Sequence, residues 1–216
     1  MHPTLAHYNR LRMHIWRERL GRWFTPLALR SPLSPNAITL LALVLNLAAA
    51  TLLYLGAREP RMFLVAIVFI AVGGLADAFD GIVARVQGKS SRLGDFLDHV
   101  ADRLSDAAVA AGWLLGSGVS DVLVVAAVIA VMLNGYIGTQ IEATWRERNY
   151  ETVGRGEFVL ALIVYPIISY ILATSDMTTE QYAGLRIAEW MTCLLLLVAL
   201  LGIVQRFALA LRLERS

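Results

Sequence analysis

Six apolar stretches, each close to the length that crosses a bilayer, dominate this 216-residue chain and decide what it can fold into. They run over residues 36–56, 62–85, 94–115, 120–144, 156–174 and 183–209. A helix needs roughly 20 predominantly apolar residues to cross the hydrocarbon. The expectation is therefore an all-α integral membrane protein with six transmembrane helices in one domain. Composition agrees: 57% of residues are hydrophobic, only 17% are charged, and mean hydropathy is +0.61. A soluble domain of this size keeps about a quarter of its residues charged.

Residues 1–33 stand apart from the membrane domain, residues 34–216. Arg10, Arg12, Arg17, Arg19 and Arg22 precede the first apolar stretch, and no small-residue cleavage site follows promptly, so this is not a signal peptide. Leu11, Ile15, Trp16, Leu20, Trp23 and Phe24 can share one side of a helix while the arginines reach head groups. That pattern predicts an amphipathic interfacial helix, ended by Pro32 and Pro35, with a solvated charged helix as the plainer alternative. Cytoplasmic loops collect Lys and Arg. With the N-terminus inside, fifteen cations fall on the cytoplasmic side and three (Arg58, Arg61, Arg186) outside. Both ends are thus expected in the cytoplasm of a cell-membrane protein. No basic patch interleaved with aromatics lies outside the apolar stretches, so nucleic acid is not an expected partner. Cys193, the one cysteine, lies in an apolar run and reads as packing.

The chemistry is carried by carboxylates in the second and third spans: Asp77, Asp80, Asp98, Asp102 and Asp106, with Arg103 among them. An acid at mid-span costs roughly 2.5–3.5 kcal/mol even on lenient insertion scales, so such residues face a cavity or a partner. Asp77 and Asp80 are three apart and Asp98 and Asp102 four apart, so each pair occupies one helical face. The short link between the spans makes them antiparallel neighbours and puts both pairs at matching depth, about 6–12 Å below the cytoplasmic mouth. Converging carboxylates repel unless protonated or neutralised by cations. Oxygen ligands of this kind suit Mg²⁺, Mn²⁺ or Ca²⁺ rather than zinc, and two such ions suit phosphoryl chemistry. Gly81 leaves the backbone open to a ligand. Arg85, one turn on at the mouth, is placed to pair with a phosphate. These residues describe a metal–diphosphate site open to the cytoplasm.

The run Asp77-Ala-Phe-Asp80-Gly81-Ile-Val-Ala84-Arg85, then eight residues, Gly94, three residues, Asp98, three residues and Asp102 resembles the signature of the CDP-alcohol phosphotransferase family at every fixed position. The Ser34-Pro35-Asn36 entry to the first span and the six-span layout are similar to that family too, so the resemblance covers most of the chain. It implies a homodimer of six-helix protomers using two Mg²⁺ or Mn²⁺ ions each. Asp77, Asp80 and Asp98 would be the main metal ligands, with Asp102 near the metals as the base that activates the acceptor hydroxyl. Asp80, Gly81, Ala84, Arg85 and Gly94 would contact the CDP moiety. The implied reaction is attack by an alcohol on the donor's β-phosphorus with CMP leaving. CDP-diacylglycerol is the favoured donor, and a CDP-amino-alcohol or CDP-inositol with a lipid or polyol acceptor is the alternative.

Other polar residues are less decisive. Arg103 could pair with Asp106 or bind an acceptor phosphate, and Arg155 and Glu157 could line the acceptor pocket or simply begin the fifth span. His99 reads as packing; Asn46, Asn134 and Gln140 read as interhelical hydrogen bonds. The five tryptophans, Trp113 included, fall near expected interfaces. Asp102-Arg103-Leu-Ser-Asp106 somewhat resembles the inositol-phosphate branch of the family. Yet the stretch Tyr136 to Thr144 has no arginine to hold an acceptor phosphate, which puts that acceptor in doubt. A membrane prenyltransferase would leave Gly81, Arg85 and Gly94 unexplained. A cation carrier would need polar groups through the full membrane depth, whereas the outer halves of the second and third spans are apolar.

Overall fold

The protein, described here from a computed structural model over residues 23–146 and 155–215, folds as long helices with one two-stranded hairpin. The helices are α1 (Pro35–Leu55), α2 (Arg61–Val86), α3 (Arg92–Gly116), α4 (Asp121–Trp145), α5 (Arg155–Thr174) and α6 (Ile187–Leu213). A further helical stretch covers residues 23–29; the arginine-rich segment before it lies outside the described residues. Four helices, α1, α2, α4 and α6, are long and apolar enough to cross a membrane. In α3 the intervening charges break the apolar run, and in α5 the side chains described run as the apolar stretch Leu160–Thr174.

Local signals set the boundaries. Ser34 caps α1, its hydroxyl accepting from the Ala37 N–H at 3.2 Å, with Pro35 at the first helical position, where its missing N–H costs nothing. α2 ends on Gly88, whose φ of 63° lets Lys89 N–H return to the Ala84 carbonyl at 2.8 Å. Ser91 then caps α3 by accepting from Gly94 N–H at 3.0 Å. The sixth span departs from expectation: residues before 187 form the hairpin Gln181–Tyr182 with Leu185–Arg186, turned on Ala183 and Gly184 at positive φ. α6 starts later and runs on to Leu213, with Arg206 within it.

Packing centres on α1, α2 and α3. Gly112 and Gly116, four apart on α3, lie against the backbone of Ala50 and Leu53, so that a Cβ at either would overlap an α1 carbonyl. Between apolar helices in lipid, backbone approach through small residues replaces the hydrophobic drive. Ala49, Leu53, Phe63, Ala66, Val109 and Leu114 fill the resulting core. Trp113 belongs to that core, which corrects its reading as an interfacial residue. It is 2% exposed, its indole donates to Ser169 Oγ at 2.9 Å, and its ring lies 5.0 Å from Tyr165. Residues such as Leu40, Val44, Val68 and Leu75 point outward, as lipid-facing side chains do.

Candidate active site

The α2–α3 turn brings the two aspartate pairs face to face. One carboxylate oxygen each from Asp77, Asp98 and Asp102 can be chosen so that all three lie within 4.8 Å of one another. Asp102 is buried; Asp77 and Asp98 are half-buried. Asp80 stands beside this group and within electrostatic reach of Asp77 and Asp98, but its buried carboxylate turns toward α1. There it accepts from the Thr39 hydroxyl at 2.6 Å. Sequence reading passed over Thr39; its signal was its place one turn after Asn36, on the α1 face that meets α2 and α3. The Asn36 side chain sits on the other contact of that face, against Gly94 and the Ser91 cap.

A cavity of about 80 Å³ opens from Asp77 and Asp102 between α1, α2 and α3. Thr39, Asn46, Ser105 and Asp106 supply polar groups to its wall, and Ile70, Val109 and Leu162 supply apolar ones. Asn46, expected in an interhelical hydrogen bond, rests instead over Gly73 and faces this space. At the mouth, the exposed Arg85 reaches back over Gly81, where an added Cβ would meet its guanidinium at only ordinary contact distance, 3.5 Å. Gly81 thus leaves an open strip of α2 between the aspartates and a cation.

Behind α3 lies a basic pair. Arg103 reaches Asp102 at 3.7 Å and Asp106 at 3.5 Å through one nitrogen, and its guanidinium rests on Gly135 of α4. Arg206 comes from α6, hydrogen-bonds the Asn134 amide oxygen and rests on Gly138. Guanidiniums from α3 and α6 thus each lie where α4 carries a glycine. Sequence reading counted Arg206 only among the cytoplasmic cations and gave it no place in the site. Gln140 bonds to Tyr136 within its own helix at 2.6 Å. Arg155 and Glu157 fall in the first turn of α5, with their side chains outside the described residues.

Three clustered carboxylates and a fourth beside them are a hard-oxygen donor set, and they fit a divalent cation better than they fit each other. The family model for CDP-alcohol phosphatidyltransferase matches residues 32–211, nearly the whole described chain. The chain belongs to the CDP-alcohol phosphatidyltransferase family. Among relatives of this family, it is 37% identical to the archaetidylinositol phosphate synthase of Pyrococcus horikoshii over 46% of this chain and 48% of that one. It is 29% identical to the Aeropyrum pernix enzyme of the same name over 92% and 98% of the two chains. The chain thus spans about half the length of the first relative and nearly all of the second. Among solved structures, it resembles the phosphatidylinositol phosphate synthase of Mycobacterium tuberculosis with CDP-DAG bound, at 26% identity and a TM-score of 0.65, covering 87% of this chain and 92% of that one. The same mycobacterial protein has also been solved with manganese and citrate. This member of the family carries Asp77, Asp80, Asp98 and Asp102 on the two facing helices α2 and α3.

Proposed function

We propose that this protein transfers a phosphatidyl-type group from a CDP-linked lipid, CDP-diacylglycerol or a close equivalent, to a phosphorylated polyol, releasing CMP. The observation that carries this reading is the Asp77–Asp98–Asp102 cluster opening onto the Gly81–Arg85 strip, with the Arg103–Arg206 pair behind it. Asp77, Asp80, Asp98 and Asp102 would hold Mg²⁺ or Mn²⁺, two ions per protomer. Bound there, the ions neutralise the diphosphate and stabilise charge developing on its oxygens. Gly81, Ala84 and Gly94 leave room for the CDP moiety along α2 and the start of α3, while Arg85 and Asp80 contact it. Asp102 takes the proton of the acceptor hydroxyl as its oxygen bonds to the lipid-side phosphorus, and the bond from that phosphorus to CMP breaks.

The phosphorylated acceptor is supported by two things: the names of the relatives, and the two guanidiniums on the α4 glycines. Arg103, Arg155 and Glu157 are read with Arg206 as the acceptor pocket. Around this site we read six transmembrane helices, with α3 and α5 included. At 25 and 20 residues they reach about 37 and 30 Å, and Asp98, Asp102, Arg103 and Asp106 of α3 are buried or half-buried, while the exposed Arg92 and Asp95 lie in its first turn. The described part of the N-terminal segment, residues 23–33, lies along the membrane surface, both termini and the site face the cytoplasm, and two copies form a homodimer. Supporting the surface placement, Gln87 at the end of α2 donates to the carbonyls of Ala28 at 2.8 Å and Ser31 at 3.1 Å, and Phe24 packs edge-on against Phe79.

The test is CMP release by purified protein with Mg²⁺ or Mn²⁺. CDP-diacylglycerol is offered first with inositol phosphate and then with unphosphorylated polyols. Turnover that needs the acceptor phosphate supports the reading. Release from CDP-inositol or a CDP-amino-alcohol with a lipid acceptor would reverse which substrate brings the lipid. No release from any CDP-linked donor by folded, metal-binding protein would overturn the transferase reading.

A further inference from the structure

Several glycines in this fold meet a close neighbour, and two pairs among them, Gly112 with Gly116 and Gly135 with Gly138, are not alike. At Gly112 and Gly116 an added Cβ would strike the backbone of α1, so these glycines serve helix packing. At Gly135 and Gly138 the nearest atoms belong only to arginine side chains. At Gly135 all three are atoms of Arg103: a Cβ would coincide with one terminal nitrogen and stand 2.6 Å from Cζ and 3.0 Å from Cδ. The other terminal nitrogen of that guanidinium is the one that reaches Asp102 and Asp106.

We propose that Gly135 is a positioning residue for the transfer, acting through Arg103 by seating its guanidinium against the carboxylates of Asp102 and Asp106. The role rests on the transferase reading above. Because the overlap involves Cζ and Cδ as well as the tip, a side chain at position 135 displaces the whole guanidinium instead of bending its end. Sliding along α4 is blocked too, since the next glycine on that face, Gly138, is taken by the like-charged Arg206. Nε of Arg103 is buried without a hydrogen-bond partner among the described residues, and one terminal nitrogen reaches both carboxylates. Moving that nitrogen removes its contacts with Asp102 and Asp106 and takes a positive charge away from the aspartate cluster. Donor contacts at Gly81, Arg85 and Gly94 lie on another face and are untouched.

The test is a cycle of Gly135→Ala, Arg103→Ala and the double variant, with melting temperature and size-exclusion profile as controls for folding. Two readouts apply: kcat and donor KM, and Mn²⁺ affinity from the spin-resonance signal of free Mn²⁺. Gly135→Ala is expected to lower kcat about tenfold or more with donor KM unchanged. Mn²⁺ should bind about three- to tenfold more tightly, because a repelling cation has left the cluster. In the Arg103→Ala background the same substitution should change neither quantity by more than about twofold. Equal effects of Gly135→Ala in both backgrounds would overturn the proposal and make Gly135 a packing glycine. If Arg103→Ala abolishes turnover, the Mn²⁺ cycle alone decides. If wild-type protein turns over no CDP-linked donor, the transferase reading fails, and the Mn²⁺ cycle still tests the seat.

Discussion

Replacing Thr39 by Val isolates one atom at the heart of the aspartate site. Valine keeps the β-branched shape, so α1 and its packing stay as they are. What is lost is the hydroxyl that donates to Asp80 at 2.6 Å. A hydrogen bond to a charged group contributes about 1.5–3 kcal/mol. Asp80 is only 6% exposed, so water offers little replacement. Since 1.36 kcal/mol is a factor of ten, the loss corresponds to roughly a ten- to 150-fold weakening wherever ionised Asp80 is required. The assay is Mn²⁺ titration of kcat/KM for CMP release, with free Mn²⁺ measured in parallel. Thr39→Val should need roughly ten- to 150-fold more Mn²⁺ for half-maximal rate, while Thr39→Ser stays within about threefold of wild type. A Thr39→Val protein with unchanged Mn²⁺ dependence would refute the argument that α1 holds Asp80 ready for the cation.

Three further outcomes follow from the same geometry. Asp102→Asn should lower kcat by about 10²- to 10⁴-fold with little change in donor KM, because an amide accepts no proton; full turnover in steady-state assays would remove Asp102 as the base. Arg85→Ala should raise donor KM about tenfold or more while kcat holds, since Arg85 lies at the mouth and not among the reacting groups; a kcat-only effect measured on the CDP-linked lipid would contradict that placement. Gly112→Val should destabilise the α1–α3 contact by about 3 kcal/mol or more, beyond the usual cost of overpacking because the clash is with backbone. It would be read as a lowered melting temperature in detergent, and an unchanged one would mean that the helices are not in backbone contact.

How legible the site was depended on whether its determinants were local. Asp77, Asp80, Asp98 and Asp102 are spaced by helical periodicity around one short link, so sequence alone fixed their shared face and depth. The Gly88 turn and Ser91 cap then make the link short enough for the faces to meet. The Thr39–Asp80 bond joins residues 41 apart, and Arg206 meets Asn134 across 72. Contacts of that range depend on how helices cross, which periodicity does not encode. Trp113 shows the same limit: near a span end it looked interfacial, but Gly112 beside it draws α3 onto α1 and carries the indole into the core. The start of α6 was misplaced because Ala183 and Leu185 are apolar enough to extend a hydropathy run, while Ala183 and Gly184 at positive φ turn the chain back.

The close packing and the site belong to one arrangement. α1 and α3 touch backbone to backbone at Gly112 and Gly116, about 15 and 21 Å along α3 from Asp102 at 1.5 Å per residue. At the other end the same helices are held apart by side chains that cannot collapse: the carboxylates repel one another, and Asn46, Ser105 and Asp106 line a cavity instead of filling it. A helix trio closed by glycine at one end and propped by charge at the other makes a pocket that is blind on the far side. Ile70 and Val109 form its apolar wall. A cation path would need polar groups to continue past Val109, where α3 offers Ala110, Gly112, Trp113 and Leu114, all buried. The geometry that makes the aspartates a site is therefore also what keeps them from being a pore.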